Sequence, residues 1–456
     1  MFVAFVAFAA CAPATAQQIA PNPNPSGSTI SLGVPGGFNA INTFDNEGTV
    51  HVTSTGVLTN RDTCSFGCTL DTNQSGQLLN DGTLVNDGNL FVQDNGSLTN
   101  NGTWVNGDSS FGYTFLGNSA TLLNSSGATI TNTNNASLDI YDTSTFTNQG
   151  TLANYGSVFL LEDLGAPVFN NSGTFSNFTS GPGVTSLFSN DGTVNNSGVI
   201  ENQAGSDIEN TGVVNNLSGA QILNSGRMTN TRYPGTAAQI NNAGDFIVTT
   251  TGVVDRSTVT QPYGTYAQTA GHTQIDGFFR TGQFNVSGGS VAGSGTLQSQ
   301  AAVAIGDGAG AAAVFSAGGA GDATLAIVGT LNLASDAVTV VDISSAALFD
   351  LVTLTGSGIA NLGGALQVQL LGGYTPSLGD TFTFIAANDI NGSFASVLLP
   401  VFAGGTRTFE LIFNSAANPT LATLRTIAVA PVPLPPAMGL LAPALALLMG
   451  MRRRAS

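Results

Sequence analysis

Catalysis and metal binding usually start from histidine, cysteine, lysine or converging carboxylates, and this sequence is poor in all of them. Its two histidines, His51 and His272, lie far apart with no cysteine or second histidine nearby. Each reads as a polar, solvent-facing residue rather than a general base or metal ligand. All ten basic residues are arginine, so lysine-dependent Schiff-base or base chemistry is excluded. The five glutamates are Glu47, Glu162, Glu201, Glu209 and Glu410. Hydrolysis or elimination on a glycan would need carboxylates, alone or with a basic residue, converging on one face. The pair Glu162–Asp163 and the set Glu201, Asp207 and Glu209 come nearest, the second if it falls on neighbouring coils; solvated turn carboxylates are the plainer reading. No catalytic, cofactor-binding or metal-ligating residue is named, and no cofactor is expected. Cys64 and Cys68, in Asp62-Thr-Cys-Ser-Phe-Gly-Cys-Thr69, read as a disulfide closing a small loop in an exported chain. The alternatives are a free pair and a metal site, for which two thiolates leave a tetrahedral set incomplete.

Whatever these residues do, the rest of the chain must place them, and its composition is unusual. Charged residues are 8 % of the 456, against about 25 % in ordinary domains. The formal charge is −17, which repels phosphate backbones and anionic lipid heads and argues against nucleic-acid binding. Glycine is abundant at 58, but Val, Ile, Leu and Phe recur at regular intervals, which separates the chain from disordered sequences.

The recurrence is an internal repeat. In residues 78–106, Leu78, Asn80, Gly82, Leu84 and Asn86 return as Leu98, Asn100, Gly102, Trp104 and Asn106. The same spacing reaches back from Gly76, Leu78 and Asn80 to Gly56, Leu58 and Asn60. Asn190-Asp-Gly192-Thr-Val194-Asn-Asn196 returns as Asn210-Thr-Gly212-Val-Val214-Asn-Asn216, and Asn148–Asn154 returns as Asn171–Asn177. Each unit holds short β-type runs, such as Thr83-Leu-Val85 and Leu90-Phe-Val92, punctuated by Asn-x-Gly steps that supply the positive φ of tight turns. No strand this short buries a face by itself, whereas coils stacked ~4.8 Å apart pair every backbone group and align equivalent side chains. The expected fold class is all-β, a right-handed parallel β-helix. Leu58, Leu78 and Leu98 should form one interior column, Leu84 and Trp104 another, and Asn60, Asn80 and Asn100 a hydrogen-bonded turn ladder. Antiparallel hairpins are the structural alternative. Residues 38–300 would give about 13 coils and a rod roughly 60 Å long.

Glycine-rich steps within 264–297, such as Gly264-Thr-Tyr266-Ala-Gln268, Ile275-Asp-Gly277 and Val291-Ala-Gly-Ser-Gly295-Thr-Leu297, resemble the repeat of autotransporter passengers and filamentous-haemagglutinin-like surface proteins. That resemblance implies a scaffold rather than a chemistry. Residues 301–323 are Ala/Gly-rich and read as a transition. Within them Gly318-Gly-Ala-Gly321-Asp322 is similar to one calcium-binding nonapeptide, but its Asp is one place early and nothing repeats, so a linker is the plainer reading. Residues 324–429 read as a terminal β element capping the open end of the solenoid. An outer-membrane barrel needs more strands than these residues supply.

Both ends carry targeting signals. Residues 1–16 form an apolar run closed by Ala14-Thr15-Ala16, a small-residue signal-cleavage site before Gln17. The positive n-region is missing, as a start codon placed too late would leave it. A lipoprotein with acylated Cys11 is the alternative. Residues 17–37 read as a linker or N-terminal cap. In residues 430–456, a proline-rich stop precedes 15 mostly apolar residues, Ala437 to Met451, and then Arg452, Arg453 and Arg454. A helix there covers roughly 22 Å, short of the ~30 Å hydrocarbon core, so it spans marginally. The arginines would hold its end in the cytoplasm. A plain tail anchor is the bland reading. The order of proline signature, apolar helix and arginine cluster resembles the PEP-CTERM sorting tail, with Val432, Pro433, Leu434 and Pro435 as a Val-Pro-Leu-Pro variant. The resemblance implies transient handling by an exosortase of a Gram-negative bacterium and release to the surface or extracellular matrix. The usual Glu is Leu434 here.

The function expected is a non-enzymatic exported surface or matrix protein, an adhesin or filler, touching the membrane only through its tail. Rows of Asn, Thr and Ser would offer extracellular polysaccharide repeated weak contacts. The rival is a polysaccharide lyase or hydrolase on the same scaffold.

Overall fold

A computed structural model describes residues 3–5, 19–21, 29–32, 38–40, 44–46, 49–52, 57–61, 69–73, 75–179, 181, 185–231, 238–255, 262–319, 321–413 and 420–429. The described elements are β-strands, most of them four residues long. Gln77–Asn80, Thr83–Asp87 and Asn89–Val92 make one turn of the chain, one strand on each of three faces. Ser97–Asn100, Thr103–Asn106 and Gly112–Leu116 make the next and lie parallel upon them. Leu98 stands over Leu78, Trp104 over Leu84 and Thr114 over Leu90. The pattern continues, and from Gln77 to Thr355 the chain completes about 12 turns of a parallel β-solenoid.

Strand alternation explains the winding. In Gln77–Asn80 and Thr103–Asn106 the second and fourth residues point inward and are buried, while the first and third face out. The second position is apolar almost throughout: Leu78, Leu98, Leu122, Phe146, Phe169, Val194, Val214 and Ile240 form a continuous column on the first face. Fully burying one such side chain contributes about 1.5–3 kcal/mol. Ordering a residue costs about 1–2 kcal/mol, so one turn of three short strands does not fold alone and neighbouring turns stabilise one another.

The expected columns need one correction. Leu78 and Leu98 are in register, but Val50 lies beneath Leu78, and Leu58 belongs to the second face, beneath Leu84. Likewise Asn60 pairs with Asn86, not with Asn80. The stretch 62–68 lengthens this turn, so a fixed 20-residue offset slips onto the neighbouring face. The change of composition at residue 300 is not a change of winding. Val303–Ile305, Ala313–Phe315 and Thr324–Val328 pair parallel with the preceding turn, and parallel pairing reaches Ser396–Leu398. Antiparallel pairing enters with Leu421–Ala428, which lies between Thr381–Ala386 and Arg407–Ile412 on the third face.

Candidate binding groove on the third face

Inside the solenoid, the fourth strand position is commonly asparagine, and these amides form ladders parallel to the rod. On the first face Asn80 Nδ2 donates to Asn100 Oδ1 at 2.6 Å, Asn100 to Asn124 at 2.8 Å, and Asn124 to Asn148 at 2.7 Å. The series runs through Asn171, Asn196 and Asn216 to Asn242, and ends on Gln268. A second ladder joins Asn86, Asn106, Asn132, Asn154, Asn177, Asn202 and Asn224, and a short third joins Asn190, Asn210 and Asn230. Each rung also donates to a backbone carbonyl of the next turn, as Asn80 does to Thr103 at 3.0 Å. The described ladder, Asn80 and Asn100 included, is therefore real but buried. These amides stabilise the rod and do not present themselves to a glycan. The outward amides are a different set, in which Asn195 donates to Asn170, Asn215 to Asn195 and Asn241 to Asn215.

The residues singled out for chemistry are scattered. His51 Nε2 lies 2.7 Å from Asp81 Oδ2. Hydrogen bonds from Asn101 and then His51 hold the Asp81 carboxyl below its usual range. His272 meets Ser290 Oγ at 2.9 Å and Gln274 Oε1 at 3.3 Å. Glu201, Asp207 and Glu209 do not fall on neighbouring coils. They occupy consecutive strands of one turn, Val199–Asn202 and Asp207–Asn210, on two different faces. Asp207 and Glu209 do share an outward face, and Arg227 of the next turn stands over Asp207 with 3.9 Å between the charged groups. Burial raises both carboxyls, more than Arg227 lowers them. Among the described residues no three His, Cys, Asp or Glu side chains gather to hold a metal ion, and no helix is long and apolar enough to cross a membrane. Cys64, Cys68, Ala14, Ala16 and the tail residues Val432, Pro433, Leu434, Pro435, Arg452, Arg453 and Arg454 lie outside the described residues.

The strongest concave feature is elsewhere. Where the third face turns back toward the first, Asp94, Asn95, Asn118, Ser119 and Asp142 adopt left-handed backbone with φ of 52°, 65°, 53°, 66° and 54°. Asn and Asp tolerate this region better than other L-residues. The turns stack, and with Thr143 and Leu164 they enclose a groove of about 340 Å³ across successive turns. Asn118 Nδ2 donates to Asp94 Oδ1 at 2.9 Å, Ser119 and Thr143 hydroxyls meet at 2.7 Å, and Asp142 Oδ1 accepts the Leu164 N–H at 3.0 Å.

Beside the groove the third face carries outward aromatic rings on the same turns. Phe115 stands over Phe91 with centroids 5.9 Å apart and planes at 82°. Tyr141 follows, 5.1 Å from Phe115 and tilted by 37°. All three are half-buried. Tyr113 donates to Asp139, whose carboxyl is raised chiefly by its own burial. Burial, with Asp139, Asp163 and Asp142 nearby, also raises the Tyr141 hydroxyl. The arrangement offers apolar ring surface next to carboxylate, amide and hydroxyl groups, with no basic residue lining the groove.

No protein-family model matches the chain, and comparison with curated proteins finds no significant relative.

Proposed function

We propose that this chain is an exported, non-enzymatic structural protein: a right-handed β-helical rod delivered to the surface or extracellular matrix of a Gram-negative bacterium. In this reading a signal sequence exports it, and a short helix over 437–451 anchors it transiently in the inner membrane. An exosortase then acts on its PEP-CTERM-type tail. The observation that supports it best is the inward use of the asparagine amides, which makes a self-stabilised rod whose outward rows repeat turn after turn. Such a surface suits an adhesin or filler that gains retention from many weak contacts. The test is fractionation of the native host with and without its exosortase. Surface or matrix protein lacking residues 437–456 is expected, and intact protein retained in the inner membrane in both strains would contradict it.

One observation favours a second reading, a carbohydrate-active enzyme: Asp207, Glu209 and Arg227 share an outward face. Following reducing ends and unsaturated products on acidic and neutral polysaccharides separates the two. Turnover abolished by Glu209→Gln or Asp207→Asn would establish the enzyme.

A further inference from the structure

We propose that the third face, over the turns carrying Phe91, Phe115 and Tyr141, binds a neutral polysaccharide laid along the rod axis. The inference rests on the reading of the rod as a glycan-contacting surface protein and adds a site and a ligand class to it. The outward rows of the rod are mostly short polar side chains, and here they give way to three rings on successive turns. Successive turns are ~4.8 Å apart, and the rings are 5.9 and 5.1 Å apart. This is the scale on which a chain of pyranose rings repeats. A sugar ring has an apolar C–H face and a hydroxyl rim. The rings supply a surface for the first, and the groove beside them supplies hydrogen-bonding groups for the second. Asp94, Asn118, Ser119, Asp142 and Thr143 line that groove. An Asp or Asn side chain has more hydrogen-bonding positions than the single contacts linking Asn118 to Asp94 and Asp142 to Leu164.

Charge selects the class of glycan. Asp94, Asp142, Asp139 and Asp163 surround the rings and the groove. With no arginine among the lining residues, a polyuronate or sulfated chain would meet like charge without a compensating cation. A neutral chain meets no such penalty, and its hydroxyls can donate to the carboxylates.

The test is affinity gel electrophoresis of the full chain in buffered saline containing dextran, hydroxyethyl cellulose, galactomannan or polygalacturonate. At least one neutral polymer should retard the protein, and polygalacturonate should not. Tyr141→Ala should weaken retardation about three- to tenfold, the loss of one stacking ring. Asn118→Gly, which accepts the positive φ of that turn without strain, should weaken it while leaving the unfolding midpoint in place. Retardation by none of the neutral polymers, equal retardation by polygalacturonate, or undiminished retardation of both variants would overturn the site. None of those results would touch the surface location read by fractionation. A chain that binds neutral glycan but never leaves the inner membrane would sink the functional reading and leave the groove standing.

Discussion

A ladder asparagine has two N–H donors and an accepting oxygen, so it can pass a hydrogen bond along the rod and still bond the backbone. Asn124 accepts from Asn100, donates to Asn148 at 2.7 Å and donates to the Thr151 carbonyl at 3.1 Å. Asn124→Leu would strand buried partners above and below it, at a cost of about 2–3 kcal/mol by chemical denaturation. Asn101→Ala, at an exposed turn position, should change stability by less than about 0.5 kcal/mol in the same assay. The glycines of the Asn-x-Gly steps do a different job from the one their turn chemistry suggests. Gly173 does not have positive φ; a Cβ there would sit 2.0 Å from the Gly150 carbonyl oxygen of the turn below. Gly173→Ala should therefore destabilise by about 1–3 kcal/mol, whereas Gly→Ala at Gly127, whose φ is +81° in open space, should cost only about 1–2 kcal/mol of backbone strain. Trp104 presents the opposite case, since its buried Nε1 has no hydrogen-bond partner. Trp104→Phe keeps ring area against Leu84 and Ile130 and removes an unsatisfied donor. Its denaturation midpoint should match or exceed the parent's.

At the scale of the strand and the turn, much of the fold was legible and the failures have physical causes. A repeat of apolar residue, polar residue, asparagine, turn and glycine specifies a stacked coil, because each letter has its own job: core, outward face, ladder and close approach. Where turns keep constant length, as from Asn190–Asn196 to Asn210–Asn216, sequence offset and spatial register coincide. Where the stretch 62–68 lengthens a turn, the offset names the wrong neighbour, and Leu58 moves to another face. Residues 301–323 disguise their coils differently. Small side chains thin the apolar pattern there, yet Ala313 and Phe315 are buried like any inward pair. The groove went unread because it repeats at 24 residues rather than 20: Phe91 with Asp94, Phe115 with Asn118, then Tyr141 with Asp142. Its signal is an aromatic residue followed closely by Asn or Asp, which is only meaningful once the coils are aligned.

For the whole molecule, an excess of carboxylates and several half-buried ones set the pH dependence. Burial raises Asp350 to about 7, and also raises Asp139, Asp207, Glu209 and Asp342. Between the unfolded value near 3.8 and these raised values, the folded chain holds protons that the unfolded chain has released. Stability from these groups is fully present below that window and is lost as pH climbs to about 7. Asp81 and Asp336 are lowered instead, so their contribution is present above about 3.8 and lost in stronger acid. The urea midpoint should accordingly be higher at mildly acidic pH than at mildly alkaline pH, and Asp350→Asn should flatten that slope. All of this depends on turns lying in register. Replacing the native cysteines with serine and placing Thr103→Cys with Thr129→Cys tests the register most directly. These outward positions are paired across adjacent turns, at a Cα separation near ~4.8 Å that a disulfide accepts. Oxidation should join them in nearly every molecule, as read by mass spectrometry of the digest, with Thr103→Cys and Thr121→Cys staying free. Failure of 103 to join 129, or joining of 103 to 121 instead, would contradict the stacked solenoid.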